Sequence, residues 1–103
     1  MKQWYSVRSI FEWDRGVFEE RVTLWQATSL DQAITYAERE ALTYSSGDQV
    51  HDIVFVGLLQ AYEIGEAQPT SGTELFSLLR DSGLSKHEYV SRFFDTGSEH
   101  QQR

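Results

Sequence analysis

The first stretch of the chain alternates apolar and polar residues in the manner of a half-buried β-strand over residues 3 to 13. One parity is apolar, interrupted only by Ser9, and holds Tyr5, Val7, Phe11 and Trp13, whereas the other holds Ser6, Arg8 and Glu12. Turn residues follow at 14 to 16. Residues 17 to 27 then resume a strand pattern, with Phe18, Val22 and Leu24 on one side and Glu19, Arg21 and Thr23 on the other. The two runs predict an antiparallel hairpin.

The next segment has helical periodicity. Ser29, with Gln32 three residues later, forms a capping-box pattern that marks a helix start. Apolar positions then recur at helical spacing, at Leu30, Ala33, Ile34, Ala37, Ala41 and Tyr44. The pattern predicts a helix from about Leu30 to Tyr44, and its alanines suit close packing across a sheet.

The second half of the chain repeats the order of strand and helix. Residues 53 to 64 begin with a continuous apolar run, which predicts a central strand covered on both sides. Gly57 within it indicates a bulge, a close helix approach or room for a ligand, and we favour helix packing. Residues 74 to 79 predict a fourth, shorter strand. Ser85 and Glu88 form a second capping box, followed by a short helix with the apolar residues Tyr89, Val90, Phe93 and Phe94.

The element order is therefore ββαββα. It predicts an α+β fold, a mostly antiparallel four-stranded sheet with one long helix packed across it and a short C-terminal helix. A chain of 103 residues has the length of one domain. We expect a single α+β domain over residues 1 to 95 and a frayed tail over residues 96 to 103.

The composition removes several classes of chemistry. The chain has no Cys, which excludes disulfides, Cys-ligated zinc and a thiol nucleophile. His51, His87 and His100 do not stand at metal-ligand spacing, and neither a nucleophile elbow nor a phosphate-binding glycine loop occurs. We expect no metal and no cofactor. The sequence also lacks a signal-like or membrane-length apolar run, so we expect a cytoplasmic protein that does not enter a membrane.

The net charge of −7 argues against nucleic-acid binding by a basic patch. No Lys or Arg stands between Arg39 and Arg80. The carboxylates in that interval either keep a small domain soluble or steer a basic protein partner. The first hairpin is rich in aromatic residues. Either some of them pack under the C-terminal helix, or an aromatic surface stays exposed for protein binding. The residues that we predict to bind a partner are Trp4, Trp13, Trp25, Asp48, Asp52, Glu63, Glu66 and Tyr89.

Charged residues on the strands have two interpretations. Glu20, Arg21 and Glu74 could meet and do acid–base work if the edge strands are neighbours. The alternative is cross-strand ion pairs that face solvent. Any Arg buried in the sheet would need a carboxylate, and Glu20 or Glu74 is the expected partner. The residues considered for such pairs are Arg8, Glu20, Glu74 and Arg80.

Four short motifs resemble a family of small bacterial domains, domain of unknown function number 4288. They are W-Y-S at 4 to 6, E-E-R at 19 to 21, T-S-x-x-x-A at 28 to 33 and G-T-E-L-F-S at 72 to 77. The resemblance spans most of the chain before the last helix, which looks like an addition. It implies a bacterial or phage origin and a small sheet-and-helix fold, with no catalytic activity to transfer.

Three functions remain open. The first is a non-enzymatic binding protein, such as an immunity protein, antitoxin or inhibitor that blocks a basic partner. The second is a self-associating structural module, a homodimer formed through the hairpin edge or the C-terminal helix. The third is a small enzyme that uses Glu20, Arg21 and Glu74.

Overall fold

The computed structural model describes residues 1 to 99, apart from the side chains of residues 58 and 59. Its elements are β1 (Gln3–Trp13), β2 (Val17–Ala27), α1 (Leu30–Ser46), β3 (Ile53–Glu63) and α2 (Lys86–Phe93). The strands form an antiparallel sheet in the order β2-β1-β3. The predicted α+β class, with an antiparallel sheet, one long helix and a short C-terminal helix, is confirmed.

Helix α1 lies across one face of the sheet through small side chains. The Ser29 hydroxyl accepts a hydrogen bond from the Gln32 backbone N–H at 3.1 Å, as the capping pattern predicts. Ala33, Ala37 and Ala41 are fully buried in the helix. They belong to two core clusters with residues of one parity of β1, namely Tyr5, Val7 and Phe11. The side of β1 with those residues is therefore the side that faces the helix.

The central strand is β1, and our expectation that β3 would be central is wrong. In the described part of the chain β3 pairs with β1 alone. Ile53 is buried and Phe55 packs beside Phe11, whereas Val54 and Val56 are 52% and 49% exposed. The apolar start of β3 therefore alternates between the helix side and the opposite side of the sheet.

Gly57 lies at an irregularity in the pairing of β3 with β1. The partners of Ser9 and Phe11 are Leu59 and Phe55, so β3 contains extra residues at this point. Gly57 has a φ of +90°, which residues with a Cβ rarely adopt. A Cβ at this position would meet no atom within 4 Å, so close helix packing is not the reason for the glycine. The bulge interpretation is confirmed, and the helix-packing interpretation that we favoured is wrong.

The chain after β3 lies first against the sheet and then leaves it. Glu74 to Leu79, predicted as a fourth strand, has no strand pairing with β1 or β3. Instead, the Ser6 hydroxyl donates to the Leu75 carbonyl, and the Phe76 ring lies 6.2 Å from the Tyr62 ring. We call residues 74 to 76 the root and residues 77 to 95 the arm. Side chains, and not a backbone ladder, attach the root to the sheet.

The arm contains α2 and makes little contact with the rest of the molecule. The capping box is complete, because Ser85 and Glu88 each accept a hydrogen bond from the backbone N–H of the other. No residue of α2 is buried, and this helix contacts neither α1 nor any of the three strands. The radius of gyration is 15.6 Å, against roughly 13 Å for a compact chain of this length. The protein is therefore a compact sheet-and-helix body with a projecting arm.

Candidate functional site

Strand β2 exposes its apolar side and turns its polar side toward the helix. Glu19 and Arg21 bind Tyr44 and Glu40 of α1. The apolar residues of β2 point away from the helix, and the exposures of Phe18, Val22 and Leu24 are 61%, 51% and 44%. Antiparallel sheets that face water normally do the reverse, with apolar residues inside and polar residues outside. This inversion marks the side of the sheet opposite α1 as an unusual surface.

All three strands contribute to this surface. Phe18 pairs in register with Glu12, which pairs on its other side with Val54. Val22 pairs with Arg8, and Leu24 pairs with Ser6. Residues in register lie on the same side of a sheet, so these side chains share one surface. We call it the open face and define its apolar part as Ile10, Phe18, Val22, Leu24 and Val54.

An ion pair lies at the centre of the open face. The Arg8 guanidinium donates to the Glu20 carboxylate, as expected for an Arg within the sheet, and to the Gln60 side chain at 3.2 Å. It also lies 5.9 Å from the centre of the Phe76 ring of the root. Because Glu20 is more than half exposed, such a pair stabilises the fold by at most about 1 kcal/mol. It provides directional polar contacts inside an apolar surface.

The root covers one end of the open face. Ser6 is 1% exposed because the backbone at Leu75 lies over it. The Tyr62 hydroxyl donates to the Glu74 carboxylate, and this contact raises the pKa of Tyr62. Glu74 therefore binds a tyrosine and not an arginine. The rest of the open face, from Leu24 to Phe18 along β2, stays exposed.

A second polar cluster joins β2 to α1 on the helix side. The Glu19 carboxylate accepts hydrogen bonds from Trp13 Nε1 at 3.0 Å and from the Tyr44 hydroxyl at 2.7 Å. Arg21 binds both oxygens of Glu40 at 3.1 to 3.4 Å, and its guanidinium lies 3.8 Å from the centre of the Tyr44 ring. Burial, together with the hydrogen bond to Glu19, raises the pKa of Tyr44 to about 12. The polar groups bind one another, so the cluster fastens the helix to the sheet.

The residues proposed for acid–base work do not meet. Glu20 points to the open face, whereas Arg21 points to the helix, because successive residues of a strand face opposite sides. Glu74 lies on the root with Tyr62. Among residues 1 to 99 no group of three or more His, Asp or Glu side chains could hold a metal ion. Glu20, Arg21 and Glu74 therefore do not form the acid–base group that we considered.

The predicted aromatic anchors lie in three separate places. Trp13 and Trp25 are half-buried on the helix side, and their indole N–H groups donate to Glu19 and to Thr23. Trp4 has the parity of the open face and is half-buried near its end. Tyr89 lies on α2, where its ring centre is 4.6 Å from that of Phe93. Of the three tryptophans, Trp4 alone has the parity of the open face.

The predicted acidic residues divide into two groups, one at each end of β3. Asp48 and Asp52 lie in the loop before the strand, and Glu63 and Glu66 lie at and beyond its end. The strand separates the groups by about 30 Å, at roughly 3.3 Å per residue. Asp48 accepts hydrogen bonds from the backbone N–H groups of His51 and Val50, which lower its pKa. Carboxylates thus border the sheet at both ends and do not form a single patch.

Neither helix in the described residues is long and apolar enough to cross a bilayer.

The arm holds a shallow depression, which is lined by Arg80, Leu84, Lys86 and Tyr89 among others. The Arg80 guanidinium donates to the Tyr89 hydroxyl at 2.8 Å and lies 4.1 Å from the centre of the Phe93 ring. Arg80 therefore binds aromatic side chains of the arm in place of the strand carboxylate that we considered.

Comparisons with protein-family models, with curated proteins and with solved structures find no match to this chain. The resemblance to domain of unknown function number 4288 stays a prediction. The features of the molecule that indicate a function are therefore the open face, the bordering carboxylates and the arm.

Proposed function

We propose that this chain is a non-enzymatic protein-binding domain, an acidic bacterial cytoplasmic protein of the immunity, antitoxin or inhibitor kind that blocks a basic partner. The open face supplies the contact surface. The observation that carries the proposal is the inversion of β2, whose apolar side chains Phe18, Val22 and Leu24 are exposed while its polar side binds the helix.

The open face is apolar enough to contribute substantially to binding. Its four most exposed apolar side chains, Phe18, Val22, Leu24 and Val54, leave roughly 400 Å² accessible in total, if a fully exposed side chain offers on the order of 200 Å². At about 25 cal/mol per Å², covering this area gives a gross gain of about 10 kcal/mol. Association itself costs about 4 to 15 kcal/mol. The apolar contact alone therefore does not ensure tight binding, and polar contacts must add to it.

Charge supplies the second contribution. The net charge is −7, and acidic residues border both ends of the sheet. A negative field attracts a basic protein and raises its association rate, and salt screens that field. The ion pair of Arg8 with Glu20 then gives a bound partner directional contacts at the centre of the face.

Capture from an extract of the source cells by three immobilised baits tests the proposal. The baits are the unmodified chain, Val22→Lys on the open face and Leu42→Lys on α1, where Leu42 is 56% exposed. We expect a basic protein to bind the unmodified chain and Leu42→Lys, to be lost with Val22→Lys, and to decrease as salt rises. If all three baits retain the same proteins at all salt concentrations, the open face is not the binding surface.

A self-associating module is the second candidate. The observation in its favour is the arm, which exposes apolar side chains and whose helix α2 packs on none of the strands described.

A further inference from the structure

Two apolar surfaces of this chain stay largely exposed within residues 1 to 99. One is the open face. The other is the arm, where Leu79 is 98% exposed and Phe94 is 68% exposed, with Leu78, Val90 and Phe93 between 40% and 49%. Such surfaces rarely face water in a monomer. Because one chain contains both, two copies of it can cover them mutually.

The root explains why the arm does not cover its own open face. Ser6 holds the Leu75 carbonyl and Arg8 lies over the Phe76 ring, so the root already occupies the near end of the face. The chain then departs, and α2 contacts none of its own strands. Residues 77 to 84 form neither helix nor strand, and eight residues can span up to roughly 25 Å, enough to reach a neighbouring molecule.

The arm is electrically neutral, whereas the rest of the chain before it is acidic. Residues 77 to 95 hold three basic side chains, Arg80, Lys86 and Arg92, against the three acidic side chains Asp81, Glu88 and Asp95, a net charge of 0. Residues 1 to 79 hold five basic side chains against twelve acidic ones, a net charge of −7. The arm therefore carries no net negative charge, and the acidic body of a second copy does not repel it as it would repel an acidic segment.

The area available matches that of a stable dimer. The exposed apolar side chains of the open face and the arm together offer roughly 1,000 Å² per protomer, and stable interfaces bury about 800 Å² per partner. In a symmetric pair each copy contributes both surfaces, so the same contact forms twice.

We propose that a second copy of this chain covers the open face, and that the two copies exchange arms so that α2 of each lies on the open face of the other. The inference rests on the proposed function, in which the open face binds protein, and it names the occupant. A basic partner that binds the same face competes with the arm for it.

Sedimentation velocity over a range of concentrations gives the first test. The full chain has a mass of 11.9 kDa, so exchange predicts a species of twice that mass that dissociates on dilution. We expect Val22→Lys on the face and Phe94→Asp on the arm each to weaken the dimer at least about tenfold. The matched controls are Leu42→Lys on α1 and Val50→Asp in a loop, where Val50 is 86% exposed. Both controls should dimerise as the unmodified chain does.

Cysteine crosslinking gives the second test, because the chain contains no Cys. A Val22→Cys chain is mixed with a Ser91→Cys chain, which places one thiol on the open face and one on α2. A short bis-maleimide should then link the two chains into a mixed dimer. The double variant in dilute solution should link poorly within one chain.

The outcomes separate this inference from the proposed function. A monomer at every concentration, a dimer that survives both Val22→Lys and Phe94→Asp, or a link that forms only within one chain would overturn arm exchange. If the chain is monomeric and Val22→Lys still abolishes capture of a basic protein, the proposed function stands without this inference. If Val22→Lys changes neither association nor capture, both fail.

Discussion

Truncating two phenylalanines of the same hairpin tests which side of the sheet is the core. Phe11 on β1 is 0% exposed, and its ring centre lies 5.0 Å from that of Tyr44 and 5.5 Å from that of Phe55. Phe18 on β2 is 61% exposed on the open face. The substitution to Ala is identical at both positions, so the difference between the two reports their surroundings.

The expected losses of stability differ severalfold. Phe11→Ala removes a buried ring and leaves a cavity, which costs about 3 to 5 kcal/mol of the free energy of unfolding. Phe18→Ala removes a ring that is mostly in water, so we expect a cost below about 1 kcal/mol. A domain typically has a total stability of about 5 to 15 kcal/mol, so Phe11→Ala removes at least about a fifth of it.

Urea unfolding followed by tryptophan fluorescence measures both losses by linear extrapolation. The measurement belongs at the lowest usable chain concentration, where association does not add to stability. Equal losses at the two positions, or a larger loss for Phe18→Ala, would refute the assignment of the open face. Such a result would mean that the apolar side of β2 belongs to the core.

Three further predictions follow from local geometry. Gly57→Ala should cost about 1 to 2 kcal/mol of the free energy of unfolding although the space is open, because a φ of +90° strains any residue with a Cβ. Gly47→Ala, at a φ of −86°, is its control in urea unfolding. An unchanged unfolding midpoint for Gly57→Ala would contradict the bulge. The pKa of Asp14 is lowered by the hydrogen bond from the Asp52 backbone N–H and by His51, so its contribution to stability is present above its unfolded pKa of about 4 and is lost as the pH falls below that value. Asp14→Asn should therefore reduce the decrease of the thermal midpoint at acid pH. The same decrease in both chains would contradict a stabilising role for the contacts of Asp14 with Asp52 and His51. Because the pKa of Tyr44 is raised to about 12, the stability of the fold should decrease as the pH rises from about 10 toward that value. Tyr44→Phe should cost about 1 kcal/mol at neutral pH and should lose less stability than the unmodified chain at alkaline pH. Equal alkaline losses in both chains would show that Glu19 does not hold Tyr44.

Local sequence chemistry predicted the elements well because short-range contacts determine them. The turn at residues 14 to 16 and the caps Ser29 and Ser85 define where the hairpin and both helices begin. Helix α1 extends two residues beyond the predicted Tyr44 and ends at Ser46, with Gly47 as its C-cap. In each case a few neighbouring residues carry the determining hydrogen bonds.

The orientation of β2 relative to the helix was not predicted, although the hairpin register determines which sides of β1 and β2 share a face. Trp13 pairs with Val17 across the turn, which places Phe18 opposite Glu12 and Val22 opposite Arg8. The apolar side of β2 therefore shares a face with the polar side of β1. Which of those faces the helix covers depends on the docking of α1, a tertiary choice that no local pattern encodes.

The positions of the root and the arm also lie beyond local pattern. Residues 74 to 79 have strand-like composition, yet side chains of Ser6, Arg8 and Tyr62 attach the root to the open face. The aromatic residues of α2 predicted a helix correctly but could not show that it would lie apart from the sheet. Such packing depends on contacts distant in sequence.

Thiol labelling at the open face shows whether a second copy of the chain covers it. In a Val22→Cys chain, the rate of reaction with a maleimide is measured as the chain concentration rises, with Leu42→Cys on the outer side of α1 as the matched control. Arm exchange predicts that the thiol at position 22 becomes severalfold less reactive as the face is covered, while the control rate stays constant. Equal and concentration-independent rates at both positions would contradict it.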